Sequence, residues 1–297
     1  MATATEISTE TIPFNMVKLC LFIVDAFTDR LFHGNPAGVC FPESWPADAL
    51  MQNIAAENNL SETAFAVPEG RAFGIRWFTP RTEVDLCGHA TLAAAHVLFE
   101  HLGHPGSEII FNTRRMGRLV AGRGREGITL DFPADKLRKA RAPQGLVLGL
   151  GRRPVGTWKG RTDFLALFRS QREIEELDPD FSALLGVNAR GIIATAQGDS
   201  SDFVSRFFGP RVGVNEDPVT GSAHTTLAVF WAGRLGKSEL LAVQLSRRQG
   251  RLACRLADDR VMITGRARTY LVGDILVPAD GAGDARAQQP QARRAKQ

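Results

Sequence analysis

A chain of 297 residues, 44% hydrophobic and 23% charged, holds enough apolar material for one large or two medium globular domains, which excludes a disordered protein. Its 36 Lys and Arg against 32 Asp and Glu leave a formal charge of +4, but Arg286, Arg293, Arg294 and Lys296 all follow the last acid, Asp284. The basic excess therefore belongs largely to the tail, which argues against a nucleic-acid partner.

Residues 1–15, MATATEISTETIPFN, carry Glu6 and Glu10 but no apolar core, so they are expected to form a disordered extension, not a signal peptide; Met16 is an alternative start. The LCLFIV run that follows ends at Asp25 and is too short to span a membrane. Short apolar runs from Val17 to Val24 and from Ala37 to Phe41, bounded by Asp, Gly, Asn and Pro, read as strands. Pro46 to Asn59 has helical apolar spacing with proline in its first turn. Strands are expected at Thr63 to Val67 and Phe73 to Phe78, then a helix from about Gly88 to Leu102, then three strands up to Phe132. Within these, GRGREG (Gly122 to Gly127) matches the letters of a dinucleotide fingerprint, but strand-like sequence flanks it and no helix follows, so it predicts a hairpin turn.

The charged, apolar-poor segment Pro133 to Gly145 marks a boundary between a first half, 16–133, and a second, 134–278, whose last strands could pack back on the first. Lys136 to Ala196 carries no motif. Hairpin strands, with turns at RRQGR and ADDR, run to about Val277, and 279–297 is expected to be a disordered basic tail. The four cysteines, Cys20, Cys40, Cys87 and Cys254, form no Cys-x-x-Cys pair, the pattern expected of a reduced, cytoplasmic protein.

The halves repeat one another. RWFTPRTEVDLCGHATLAAAHVLF (Arg76 to Phe99) and RFFGPRVGVNEDPVTGSAHTTLAVFW (Arg206 to Trp231) both run Arg, aromatic, Phe, small, Pro, Arg, then acids, then a glycine opening a small-residue helix. A short insertion in the second aligns Cys87-Gly88-His89-Ala90 with Thr220-Gly221-Ser222-Ala223. Helices lined by Ala, Thr and Ser suit enclosure by sheet, which predicts an α+β fold of two pseudo-symmetric halves, each a barrel-like, mostly antiparallel sheet around one central helix.

Asp217 precedes Pro218, which biases it toward extended backbone, so its carboxylate stands off the helix that follows. Gly221, Ser222 and Ala223 would let a ligand reach the unpaired N–H groups at that helix start, where an anion gains about 0.3–1 kcal/mol when exposed and up to ~2 when partly buried. A substrate carboxylate is the natural occupant. The alternative is that Asp217 caps the helix and Ser222 merely packs. Gly88 and His89 open the counterpart helix, and two such starts facing each other would make one anion-friendly pocket, with His89 a proton-transfer partner or donor. Glu62 enters a strand whose alternation sets it on a face with Ala64 and Ala66, leaving room for a ligand; the alternative is a surface charge. His96, His101 and His104 lack the spacing of two ligands on one helix face, so no metal site is expected there. Cys87 could be an acid/base thiol, but the matching second position is Thr220.

DAFTDRLFHGNPAGVC, NNLSETAF, RWFTPRTEVDLCGHATLAAA and EDPVTGSAH, in this order and at these separations, resemble the PhzF-like phenazine-biosynthesis isomerase family, which has the diaminopimelate epimerase fold. The resemblance spans Val17 to about Val277 and is poor from Lys136 to Ala196. It implies an active site between two similar halves, no metal or organic cofactor, and a homodimer. It also implies a catalytic glutamate at Glu62, assisted by His89 and Asp217, with substrate contacts from Ser222 and from the glycines Gly88 and Gly221. The implied reaction is an isomerisation of a small carboxylated substrate such as a dihydro-hydroxyanthranilate, in which one carboxyl group takes a proton from one carbon and returns it to another. An amino-acid-type epimerase using Cys87, and a non-catalytic binding protein on the same scaffold, remain the alternatives.

Overall fold

The computed structural model describes residues 15–279; the expected disorder of the N-terminal extension and of the basic tail falls, apart from Asn15 and Ala279, outside the described residues. Those two residues meet, the Ala279 N–H donating to the Asn15 carbonyl at 2.8 Å.

In chain order the first half contains β1 (Met16–Ala26), β2 (Asn35–Cys40), α1 (Asp48–Asn58), β3 (Glu62–Glu69), β4 (Ala72–Phe78), β5 (Glu83–Val84), α2 (Gly88–Glu100), β6 (Glu108–Thr113), β7 (Arg118–Gly124) and β8 (Gly127–Pro133). The motif-free segment then supplies β9 (Arg138–Lys139), α3 (Gln144–Gly149), β10 (Gly156–Lys159), β11 (Phe164–Leu167), α4 (Gln171–Glu175), α5 (Phe181–Leu185) and β12 (Ile192–Gln197). β13 (Phe203–Gly209), β14 (Val214–Asp217), α6 (Gly221–Leu235), β15 (Glu239–Gln244), β16 (Gly250–Ala257), β17 (Arg260–Gly265) and β18 (Ala267–Pro278) complete it. β7 and β8 form the hairpin expected at GRGREG, with Gly124 opposite Gly127.

The repeat in sequence is a repeat in pairing. In the first half β2 runs parallel to β3, β3 antiparallel to β4, β4 parallel to β6, and β6, β7 and β8 follow antiparallel. The second half reproduces this with β11, β12, β13, β15, β16 and β17. β17 pairs antiparallel with β8, and β18 returns to pair with β1 from Met16↔Pro278 to Ala26↔Ala267, so both halves share one 18-stranded sheet.

Matching ion pairs fix each half at the same place. Arg76 on β4 grips Glu83 on β5 through Nε and Nη2 at 2.7 and 2.8 Å; Arg206 on β13 grips Glu216 on β14 the same way at 2.7 and 2.9 Å. Each guanidinium also lies over the phenylalanine two residues on, Phe78 at 5.1 Å and Phe208 at 5.0 Å. From these glutamates onward the halves stay in step, Cys87 with Thr220 and Gly88 with Gly221. The inserted residues therefore lie in the β13–β14 loop, where Pro210–Val212 forms a 3-10 turn.

α2 and α6 sit inside the curled sheet, which is why their side chains are small. Ala90, Leu92, Ala93, Ala94 and Ala95 are fully buried on several faces of α2, and Ala223, Leu227 and Ala228 are buried on α6. A larger side chain at such an alanine would cost typically about 1–3 kcal/mol in overpacking. Among the described residues no helix is long and apolar enough to cross a membrane.

Candidate active site

The two central helices start against each other. A Cβ built on Gly221 would lie 3.6 Å from the Gly88 Cα, and one on Gly88 would lie 3.7 Å from the Gly221 Cα. Neither helix has a side-chain cap: Cys87 (φ −142°) and Thr220 (φ −108°) enter in extended conformation and make no capping hydrogen bond. Asp217 is not a cap either. The Ala223 N–H turns back to the Thr220 carbonyl at 3.1 Å, and the first two N–H groups of each helix are left for a ligand. The first side chains that fold back do so in parallel, Thr91 Oγ1 donating to the Cys87 carbonyl at 2.6 Å and His224 Nδ1 reaching the Thr220 carbonyl at 2.8 Å.

Above these starts lies a cavity of about 100 Å³ whose lining includes Glu62, Cys87, Gly88, His89, Asp217, Gly221 and Ser222. The six residues assigned to the site by sequence are therefore brought together, with the candidate thiol Cys87 beside them. A larger cavity of about 500 Å³ opens beside Phe27, Arg30 and Arg251, but it contains none of the buried acid/base groups described below.

Glu62 is the first residue of β3, and its Oε2 lies 3.2 Å from His89 Nε2. On the other side of the ring, the Asn35 amide nitrogen is 3.2 Å from His89 Nδ1. An NH2 group facing Nδ1 favours the ring proton on Nε2, toward Glu62, although its two N–H groups point to the nearer acceptors Asp217 and Val219. The same amide nitrogen is 2.8 Å from Asp217 Oδ1 and 3.0 Å from the Val219 carbonyl. Asp217 also accepts from Thr220 Oγ1 at 2.5 Å. Asn35 thus ties β2 to the start of α6, and its own Oδ1 has no partner among the described residues.

Burial sets the charges. Desolvation, reinforced by the charge of Asp217, pushes the Glu62 carboxyl up to about 8, with a hydrogen bond to Cys87 pulling the other way. Burial pushes His89 down to about 3, so it is neutral and meets Glu62 as a hydrogen-bond donor rather than as half of an ion pair. Burial also raises Asp217, to about 6; Thr220, Asn35 and the Arg190 charge hold it there. The Cys87 thiol, fully buried beside Glu62, is pushed well above its usual value and stays protonated. Its Sγ is 3.5 Å from His89 Nδ1.

Glu62, Cys87 and His89 offer ligand atoms within 4.8 Å of one another, a donor set a divalent ion could use. His96 and His101 converge on Thr269 Oγ1 at 2.9 and 2.7 Å, while His104 turns to the Glu108 carbonyl at 3.0 Å, so these three do not share a point.

Sequence reasoning missed Asn35 and Arg190. Arg190 lines the cavity, held by Asp163 through Nε at 2.9 Å and through Nη2, and donating from Nη1 to Ser222 Oγ at 2.9 Å. Asn35 lies within the block DAFTDRLFHGNPAGVC, where the Gly34-Asn35-Pro36 run was the available signal. Arg190 had none.

Residues 24–273 match the model of the family described as phenazine biosynthesis-like protein, PhzC-PhzF. An uncharacterized isomerase of Pseudomonas aeruginosa is 48% identical over 259 residues, covering 87% of this chain and 99% of the relative. A crystal structure of a PhzF-family phenazine biosynthesis protein from Enterococcus faecalis superposes with a TM-score of 0.85 at 42% identity, over 87% of this chain and 99% of that one. A hydroxyproline epimerase from Agrobacterium vitis shares the fold, with a TM-score of 0.55 at 12% identity over 90% of this chain and 94% of that one.

Proposed function

The chain belongs to the phenazine biosynthesis-like (PhzC-PhzF) family, whose relatives include proteins named isomerases, and on that premise we propose that it is a cofactor-independent isomerase in which Glu62 shuttles a proton. The observation that carries the reading is the state of Glu62. A carboxyl group with its acidity moved to about 8, 3.2 Å from a neutral imidazole, stands beside two uncapped helix starts.

The substrate is a small carboxylated molecule, dihydro-hydroxyanthranilate-like ring acids included. Its acid group occupies the N–H groups at the helix starts, which places a neighbouring carbon over Glu62. Glu62 in its ionised form takes a proton from that carbon, and the electron pair shifts along the substrate's unsaturated system. The protonated Glu62 then returns the proton to a second carbon on the same face. His89 donates from Nε2 to Oε2 of the ionised Glu62, and the charge of Asp217, favoured by the hydrogen bonds from Thr220 and Asn35, holds the Glu62 proton affinity high. General acid/base action of this kind contributes typically about 10²–10⁴-fold.

The duplicated frame supports a single shuttle over exchange between two opposed groups. Arg76 stands opposite Phe65 and Arg206 opposite Ala194, so counting back three residues in each strand pairs Glu62 with Gly191. A glycine cannot serve as the opposing base. The thiol route is disfavoured on the same ground, since Thr220 stands where the second cysteine would be and Cys87 is held protonated. A homodimer is part of the proposal, supported by Tyr270, Val272 and Leu276, exposed apolar residues on β18, a strand that pairs only with β1 among the described residues.

The test is steady-state isomerisation of a dihydro-hydroxyanthranilate by wild type and Glu62→Gln, followed by ultraviolet absorbance. The variant should fall by at least about 10²-fold. Undiminished turnover by Glu62→Gln would overturn the assignment.

A further inference from the structure

The cavity has two chemically unlike ends. Glu62 and His89 stand at the start of α2; at the start of α6 the corresponding positions hold Gly191 and Ser222, and the cation Arg190 takes the place that Ser61 has in the first half. The two helix starts are alike in backbone, and these side chains make them unlike, a carboxyl and an imidazole at one and a guanidinium and a hydroxyl at the other.

Arg190 is held as a receptor would be. Asp163, only 2% exposed, grips the guanidinium through Nε and Nη2, and Phe207 lies under its plane with 5.3 Å from the guanidinium carbon to the ring centroid. Nη1 donates to Ser222 Oγ at 2.9 Å. An arginine has five N–H donors. The three bonds described leave two with no acceptor among the described residues, on a side chain that is 34% exposed and lines the cavity. Asp163 balances the charge, so the pair adds directional donors to the corner without adding net charge. The α6 start supplies further N–H groups at the same place.

We infer that Arg190, together with Ser222 and the first N–H groups of α6, is the carboxylate receptor that orients the substrate and makes this site selective for acids over their neutral amides. The inference rests on the small-acid reading of the site given above. A carboxylate bound there meets a planar fork plus backbone donors, which fixes the rest of the molecule toward Glu62. Docked at the α2 end instead, it would meet Glu62 and His89 and none of the donors of Arg190. The polarity of the site thus admits one orientation of the substrate, which a symmetric pair of helix starts would not.

Binding separates this from the proton-shuttle assignment, because it needs no turnover. Calorimetric titration with anthranilate and with anthranilamide would be run on wild type, Arg190→Lys and the double variant Asp163→Asn/Arg190→Met, each first shown to unfold cooperatively. The double variant avoids leaving Asp163 buried and unpaired, and Arg190→Lys keeps the charge while losing the fork. A charge-assisted hydrogen bond corresponds to about 10- to 100-fold in affinity. Wild type should prefer anthranilate at least about 10-fold. The double variant should lose that preference while binding the amide within about three-fold of wild type, and Arg190→Lys should fall between. Equal affinity of wild type for acid and amide, no binding of anthranilate at millimolar concentration, or an unchanged preference in the double variant would each overturn it. Loss of isomerisation in Glu62→Gln with the acid preference intact would leave both assignments standing; retained isomerisation with the preference intact would sink the shuttle alone.

Discussion

Replacing Glu62 by glutamine preserves the shape of the side chain and removes its titration, so the stability difference between the two proteins should depend on pH in a defined direction. The folded-state acidity of Glu62 lies near 8 against an ordinary 4.5. Below pH 4.5 both folded and unfolded chains carry the proton and nothing is gained or lost. Between 4.5 and 8 the unfolded chain has released the proton while the folded chain still holds it, so stability falls as pH rises; above 8 the penalty is complete. Each pH unit in that window costs about 1.4 kcal/mol, which sets a ceiling of ~5 kcal/mol, and partial hydration of the cavity brings the expected value to a few. Urea unfolding at pH 5, 7 and 9 reads this directly. Glu62→Gln should match wild type within about 1 kcal/mol at pH 5 and exceed it by a few kcal/mol at pH 9. The same difference at pH 5 and pH 9 would refute the desolvated state of Glu62.

Gly221→Ala should fold well and bind poorly. The new methyl group would meet the Gly88 Cα at 3.6 Å and the Phe27 ring at 3.7 Å, ordinary contacts, and would stiffen a helical position. Thermal stability should hold or rise by up to about 1 kcal/mol while affinity for anthranilate drops, which calorimetry on the same preparation would show. Cys87→Ala should keep isomerase activity within about ten-fold of wild type in the absorbance assay, because its thiol stays protonated; loss of activity there with Glu62→Gln unaffected would restore the epimerase-type reading. Asn35→Ala removes the donor shared by His89, Asp217 and the Val219 carbonyl, and should lower kcat by about 10²-fold with a smaller change in KM. Arg206→Met strands Glu216 and the Ile174 and Leu177 carbonyls that Nη1 serves, and should cost about 2–4 kcal/mol in urea unfolding.

The parts of the fold legible in sequence were those whose physics is local. The run of alanines on α2 says that the helix is surrounded, and Arg-aromatic-Phe followed by acids and glycine recurs because each half needs the same β-strand arginine gripping the same glutamate. Glu62, His89, Asp217 and Ser222 could be placed because Glu62 opens a strand and the other three flank the glycine that opens a central helix, where the neighbouring sequence already constrains the backbone. Asn35 and Arg190 could not, because their roles exist only once distant strands are adjacent. Asn35 reaches residues 54 and 182 positions away in the chain, and Arg190 gains its role from Asp163 and Ser222, 27 and 32 positions away on either side. The capping role weighed for Asp217 fails for a similar reason. Its carboxylate is claimed by Asn35 and Thr220, and the helix start is left open.

The central claim is that Glu62 moves a proton to and from carbon, and proton NMR in deuterated water tests it most directly. Wild type and Glu62→Gln would be incubated with a dihydro-hydroxyanthranilate and a panel of small amino and cyclic acids. Deuterium entering a carbon position of at least one acid with wild type, and at least about 10²-fold more slowly with the variant, is the predicted result. No deuterium incorporation into any of the acids and no isomerisation of any of them, with ligand-induced shifts showing that both proteins bind them alike, would contradict the claim and leave a binding protein on this scaffold.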